Sequence, residues 1–117
     1  MNPWLMLEAD LQFNKKLKPI TSDYRALLQA SSSGTYCGML FTRAPKVINP
    51  GDNASVQMLL WAYPKDPCTD FQVGTKVLLK DSPGLTRAEG VITGRSEYLS
   101  PATNVQALLE ELRARGS

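Results

Sequence analysis

The side chains that could do chemistry are few in this 117-residue chain, and they stand far apart in it. Histidine, the side chain used most for proton transfer near neutral pH, is absent. Asp66, Asp70 and Asp81 fall in segments rich in turn residues and share no fixed spacing, so they do not predict a catalytic carboxylate pair or a cation site. The phosphate-binding pattern G-x-x-x-x-G-K-[ST] is missing as well. We therefore expect no catalytic residue, metal, nucleotide or other cofactor, and no enzyme activity.

Cys37 and Cys68 are the only two cysteines, and neither has a nearby Cys or His that would complete a metal set. Cys37 falls in a predicted strand, where burial would make its thiol inert. Cys68 falls in a predicted loop and is the thiol to test for reactivity. Two reduced thiols are typical of a cytoplasmic protein, and Glu8 and Asp10 interrupt the short apolar N-terminal run before it resembles an export signal.

Binding suits the remaining polar residues better than catalysis does. Lys15, Lys16, Lys18 and Arg25 form a short basic cluster that is a candidate site for RNA phosphates, with a merely solvated surface as the alternative. The net charge of +2 is too small to dictate an anionic partner. No segment approaches the roughly 20 apolar residues of a membrane-spanning helix, so we expect a soluble protein that does not bind membranes.

Trp61 and Tyr63 lie on the same side of a predicted strand and are candidate interface residues, because aromatic side chains often anchor protein interfaces. Packing of both rings beneath a neighbouring loop or helix is the alternative.

Alternation of apolar and polar residues predicts strands through most of the chain, beginning with residues 5–13. Residues 14–23 have the composition of a loop, whereas residues 24–30 fit either a helix or a strand. The sequence Pro50-Gly51-Asp52 predicts a tight turn, because glycine is free to adopt positive φ.

The other predicted strands are rich in β-branched, aromatic and aliphatic residues and are separated by turn residues. They are residues 35–42, 55–63, 74–80 and 86–93. Gly38 suggests a bulge in the first of these, and Pro83-Gly84 predicts a hairpin turn between the last two. Short strands at this spacing are typical of an all-β sandwich or barrel, which we assign to residues 1–99.

Residues 100–117 change to the period of a helix. Val105, Leu108, Leu109 and Leu112 share one side of it. Ser100-Pro101 predicts a helix over about residues 101–115, and Thr103, with a capping box to Gln106, is a second possible start. A helix of about three turns needs tertiary support. We therefore expect Leu108 and Leu112 to dock on the barrel or on another chain, which makes them candidate interface residues.

Several blocks of the sequence together resemble domain 3 of elongation factor Tu, its C-terminal β-barrel domain. In chain order they are a strand ending near Phe13, Lys18-Pro19-Ile20, Tyr24-Arg25, Ile48-Asn49-Pro50-Gly51-Asp52-Asn53, and residues 74–80 followed by 87–92. The resemblance covers roughly residues 5–94. It implies an all-β fold, a closed six-stranded antiparallel Greek-key barrel, to which this chain adds one C-terminal α-helix.

In that family the domain is not catalytic: it contacts aminoacyl-tRNA, packs on neighbouring domains and receives exchange factors and antibiotics. By the same resemblance Lys16 replaces an arginine that touches the tRNA backbone, while Leu27 and Cys37 replace a glutamine and a threonine that contact tRNA. Gly90, within the last block, joins the basic residues as a candidate binding position.

The expected function is therefore that of a cytoplasmic, non-catalytic binding module that lacks the GTPase domain of the factor. We expect a protein partner, engaged as decoy, adaptor or immunity-type inhibitor. The alternative is binding of tRNA or another RNA through the edge from Lys15 to Arg25.

Overall fold

The computed structural model describes residues 1–15, 19–21, 24–63, 65–82 and 85–116, and the main body of the protein is a closed antiparallel barrel. The elements are β1 (Asn2–Phe13), β2 (Ile20–Thr21), β3 (Arg25–Ala30), β4 (Tyr36–Arg43), β5 (Val47–Ile48), β6 (Asn53–Leu60), β7 (Lys76–Ser82), β8 (Leu85–Ser100) and α1 (Val105–Gly116). Six strands close the barrel in the order β1, β6, β4, β3, β7, β8, and β8 pairs again with β1. The short strands β2 and β5 form a separate pair. The predicted all-β class, six-stranded antiparallel barrel and C-terminal helix are confirmed.

The barrel interior is filled by the apolar side chains that alternate along the strands. In β1, Leu5, Leu7 and Leu11 point inward and are at most 2% exposed. Met58 of β6 and Leu79 of β7 meet them in the same buried cluster. Because a strand directs successive side chains to opposite faces, this alternation fixes which residues of each strand remain outside.

Two of the turns contain a glycine with positive φ. Gly34 ends the β3–β4 turn at φ +74°, and Gly51 adopts φ +86° between β5 and β6. The Asp52 amide donates to the Asn49 carbonyl oxygen, and the Asn49 amide donates to the Asp52 carboxylate at 2.9 Å. The predicted turn at Pro50 is therefore confirmed, and the ambiguous residues 24–30 form strand β3 because they pair with β4 and β7.

The last strand is much longer than residues 86–93. Its second half continues to Ser100 because it pairs with the first half of β1, from Glu8 opposite Gly94 to Asn2 opposite Ser100. This segment contains Arg95, Ser96 and Glu97 and lacks the apolar alternation of a core strand, so local sequence gives no sign of the pairing. The predicted hairpin residues Pro83 and Gly84 lie outside the described residues.

Helix α1 begins at Val105, later than either predicted start. Asn104 is its N-cap, since the Asn104 side-chain oxygen accepts a hydrogen bond from the Ala107 amide at 2.8 Å. Ser100 instead holds the preceding turn, where its hydroxyl accepts from the Ala102 amide at 3.0 Å. Leu108 is fully buried in a second apolar cluster on the outside of the barrel, with Met6 and the half-buried Leu112.

A polar clasp joins this helix to β8. The Glu111 carboxylate accepts hydrogen bonds from the Tyr98 hydroxyl at 2.6 Å and the Ser100 hydroxyl at 3.0 Å. The Arg115 guanidinium lies 5.6 Å from the centre of the Tyr98 ring. The hydrogen bond from Tyr98 is the main reason that the pKa of Glu111 is lowered from its ordinary value. Within the part of the chain that the structure describes, no helix has the length and apolar content needed to cross a membrane.

We expect acid to loosen α1 from the barrel through this carboxylate. Because the pKa of Glu111 is lower in the folded state, its contribution to stability is present above its ordinary pKa and is lost as the pH falls through the lowered value. Glu111→Gln should lower the urea midpoint at pH 7 and flatten its decline below about pH 4.5. Urea unfolding from pH 3 to 7 measures this, with Glu110→Gln on the exposed side as the control. Identical pH profiles for the wild type and Glu111→Gln would contradict it.

Candidate functional site

The predicted basic cluster is only partly described by the structure. Lys15 is exposed directly after β1, beside the Gly51 turn, and Arg25 is exposed at the start of β3. In the barrel order β1 and β3 are separated by two strands in either direction, so these two cations do not share a strand pair. Lys16 and Lys18 lie outside the described residues. Of the predicted cluster, the structure therefore describes Lys15 and Arg25, both of them exposed.

Gly90 lies in the floor of a groove of about 680 Å³ on the outside of β6, β1, β8 and β7. A Cβ at Gly90 would collide with the Asp10 carbonyl oxygen, which belongs to the backbone of the paired strand β1. Asp10 also accepts a hydrogen bond from the Ser55 hydroxyl at 2.5 Å, and Glu89 and Lys76 add charges of opposite sign to the lining. This close approach gives Gly90 a structural role: it lets the two strands that close the barrel pair there.

A second surface covers the outside of β4, β3 and β7 and carries aromatic and aliphatic side chains. We call it the aromatic face and define it by Leu27, Tyr36, Trp61, Leu78 and Lys80. Leu27 pairs with Gly38 of β4 on one side and with Lys80 of β7 on the other. The side chains of Tyr36 and Trp61 are each 40% exposed. Large aromatic rings that remain this accessible are typical of surfaces that bind other proteins.

Because Gly38 has no side chain, the Trp61 ring can lie directly against the sheet. A Cβ at Gly38 would overlap three atoms of the Trp61 indole ring, so the ring lies directly over the glycine. The register of β3 with β4 runs regularly through Gly38, and the irregularity of β4 falls further on, between Phe41 and Arg43. The predicted bulge at Gly38 is therefore wrong. The glycine instead leaves the space that the Trp61 indole ring occupies.

Other side chains in and beside the aromatic face are also restrained. The Lys80 ammonium lies 5.9 Å from the centre of the Tyr36 ring, a cation–π arrangement at the rim. Gln29, between Tyr36 and Leu78 in the strand register, donates its side-chain amide to the Gly34 carbonyl at 3.2 Å. Side chains that are already restrained lose less conformational entropy when a partner binds.

Tyr63 does not belong to this face, although the sequence places it on the same side of the strand as Trp61. The strand ends at Leu60, and Tyr63 packs in part against the barrel core while its hydroxyl donates to Glu97. Leu108 is buried in the contact between α1 and the barrel. Of the four predicted interface residues, Trp61 is the large side chain that the structure leaves most accessible.

The aspartates considered for catalysis are separated and engaged in local bonds. Asp66 accepts from the Cys68 amide at 2.9 Å, and Asp70 accepts from the Thr35 hydroxyl at 2.7 Å. Asp81 pairs with Arg87 and accepts from the Tyr24 hydroxyl. Burial and this hydrogen bond to Asp81 raise the pKa of Tyr24. The described residues contain no group of three or more metal-binding side chains.

Sequence reasoning missed most of the aromatic face. Its residues come from three separate strands and one turn, and their proximity depends on the register of β3 with β4 and β7. A local signal existed in the outward position of Leu27 and Leu78, which are apolar where alternation calls for a polar residue.

A scan of the chain against models of known protein families finds no match, and a search of curated proteins finds none either. The function is therefore argued from the surface geometry of the chain itself.

The close approach at Gly90 predicts a large loss of stability on substitution. Gly90→Ala should lower the free energy of unfolding by about 2–3 kcal/mol, because the methyl group meets backbone atoms that cannot move without opening β1 from β8. Gly94→Ala on the same strand is the control, since its methyl group meets only the movable Glu8 side chain, 3.1 Å away at its nearest atom. We expect a loss below about 1 kcal/mol there. Equal urea midpoints for the two variants would contradict this account.

Proposed function

We propose that the chain is a non-catalytic binding module that engages a protein partner through the aromatic face. The observation that carries the proposal is the position of Trp61, seated on Gly38 and 40% exposed on the outside of a closed barrel. Tryptophan and tyrosine are the residues that most often dominate the binding energy of protein interfaces. Trp61 and Tyr36 supply such anchors, Leu27 and Leu78 supply apolar area between and beside them, and Lys80 supplies a charged rim.

The rigidity of the barrel supports binding as the mode of action. The face is built on paired strands, and its two aromatic residues are restrained by Gly38 and by the cation–π contact with Lys80. A partner therefore meets a largely preformed surface, which lowers the entropic cost of association.

The resemblance to domain 3 of elongation factor Tu, with its Greek-key connectivity, gives the proposal its more specific form. A six-stranded antiparallel barrel is compatible with that domain. A domain of this kind presents surfaces that, in the factor, meet the other domains. We infer that it engages, in the cytoplasm, a protein that handles the factor, as a decoy, adaptor or immunity-type inhibitor.

A crosslinking pull-down from lysate of the source cells tests the proposal when wild type and variants are compared quantitatively. Trp61→Ala should reduce recovery of the specific partner about tenfold or more, because loss of an aromatic anchor typically costs 2 kcal/mol or more of binding energy. Val47→Ala should leave recovery unchanged: Val47 is 49% exposed but lies on β5, in the separate two-stranded sheet. Circular dichroism verifies that both variants are folded.

Two results would contradict the proposal. One is the absence of any crosslinked protein from the wild-type sample, and the other is equal recovery with Trp61→Ala and with wild type.

Binding of tRNA or another RNA is the second candidate, favoured by the exposure of both Lys15 and Arg25. It predicts an affinity for tRNA that falls steeply between 50 and 200 mM salt, because phosphate contacts release counterions. Lys16→Glu and Arg25→Glu should each weaken binding and reduce the salt dependence. Lys65→Glu, the same charge change at an exposed position on another loop, is the control. Fluorescence anisotropy with labelled tRNA measures this, and binding that is flat across salt ends the candidate.

A further inference from the structure

The only two cysteines of the chain meet in the barrel interior. Cys37 comes from β4 and is 6% exposed, whereas Cys68 comes from the segment between β6 and β7 and is 3% exposed. Each cysteine is among the causes that shift the pKa of the other, so the two thiols are neighbours. The chain segments also meet there, since the Thr35 hydroxyl, two residues before Cys37, donates to Asp70, two residues after Cys68, at 2.7 Å. Proximity of the two cysteines is the first geometric requirement of a disulfide.

Cys68 is not the accessible loop thiol that its sequence position suggests. Its backbone adopts φ +54°, a left-handed conformation that is uncommon for a side chain other than glycine, asparagine or aspartate. The Cys68 amide donates to the Asp66 carboxylate at 2.9 Å, and the Cys68 thiol lies 3.4 Å from the Asp66 carbonyl oxygen. These contacts hold the Cys68 side chain in a buried position.

Arg95 fastens this segment to the barrel. Its guanidinium donates to the carbonyl oxygens of Pro67, Cys68 and Phe71, each at 2.8 Å. Hydrogen bonds from a charged donor are worth more than neutral ones, so three from one side chain hold the segment closed. Any reagent must wait for that segment to open before it reaches the thiols.

The closed environment also suppresses the chemistry of the thiols. Burial raises the pKa of the Cys37 thiol, and burial together with the neighbouring Cys37 raises the pKa of Cys68 to about 12. Since only the thiolate attacks a disulfide, the pair is unreactive while the segment is closed.

We propose that Cys37 and Cys68 form a latent disulfide site, and that opening of the segment held by Arg95 limits the rate of its oxidation. The oxidant is a small-molecule disulfide. One protein thiol loses its proton to solvent and its sulfur attacks the small disulfide, which gives a mixed disulfide and releases one small thiolate. The second protein thiolate then displaces the remaining small thiolate, so two protein thiols become one disulfide and the oxidant becomes two small thiols.

The bond would tie the β6–β7 segment covalently to β4, directly beside Gly38. It would also close the loop between positions 37 and 68, which stabilises a fold mainly by restricting its unfolded chain. The proposal depends on the core geometry alone and stands independently of any binding partner.

Incubation of the reduced, folded protein with oxidised glutathione at pH 8.5 tests the proposal. We expect the intact mass to fall by two hydrogens with no glutathione adduct in the final product, and both free thiols to disappear. The thermal midpoint should rise by roughly 5–10 °C and return on reduction. Persistence of both thiols, a stable glutathione adduct as the end product, or an unchanged or lower thermal midpoint would each overturn the proposal.

Cys37→Ala and Cys68→Ala each leave one thiol and should show no oxidant-dependent rise in the thermal midpoint. A rise in either variant would overturn the assignment, and the wild-type measurement decides the question if a variant does not fold. Arg95→Gln should speed oxidation about tenfold or more, because it removes charged hydrogen bonds that keep the segment closed. Arg43→Gln, at an exposed position of β4, is the matched control. Equal oxidation rates for the two arginine variants would overturn the role of Arg95.

Discussion

The pairing of β1 with β8 is the constraint on which the rest of the structure depends. β1 is hydrogen-bonded along its length to β8 on one side and over most of it to β6 on the other, so the first and last strands of the chain close the barrel. This contact joins residues nearly a chain length apart, and its closure leaves none of the six barrel strands at an open edge. Where the strands pair, their backbone polar groups are satisfied within the sheet, so the outward side chains are the groups available for recognition.

Those outward side chains divide the barrel into unlike surfaces. Helix α1 covers one of them with Leu108, and the polar clasp at Glu111 holds the helix there. The groove around Gly90 combines charged residues of both signs with apolar residues, and Leu78 lines both this groove and the aromatic face. The aromatic face on β4, β3 and β7 is left uncovered by any described element, and it carries the large exposed rings. This division is the reason that we propose binding of a protein partner.

Local patterns predicted those parts of the fold that local physics determines. The alternation of Leu5, Leu7 and Leu11 predicted an inward face, and Gly51 predicted a turn that needs positive φ. The second half of β8 was missed because its pairing with β1 is non-local and its side chains are polar. The cap at Asn104 was missed because Ser100 and Thr103 offer competing capping chemistry nearby.

The candidate site was harder to predict for the same reason. Leu27, Gly38 and Trp61 become neighbours only when three strands are set in register, and Tyr63 leaves the face because the strand stops before it. The convergence of Cys37 and Cys68 has no sequence signature at all, since nothing in the spacing of two cysteines shows that a loop folds back into the core. The basic cluster is the opposite case. It is conspicuous in the sequence, but its described members, Lys15 and Arg25, adjoin strands that do not pair with each other.

The space that Gly38 leaves for the Trp61 ring constrains how these two positions can change in evolution. One small volume above the sheet is available to either a side chain at position 38 or an aromatic ring from position 61, and the two compete for it. Homologues should therefore exchange these residues in concert, with a bulkier residue at 38 accompanied by a smaller one at 61. A homologue that retains both Gly38 and Trp61 retains the aromatic ring on this surface.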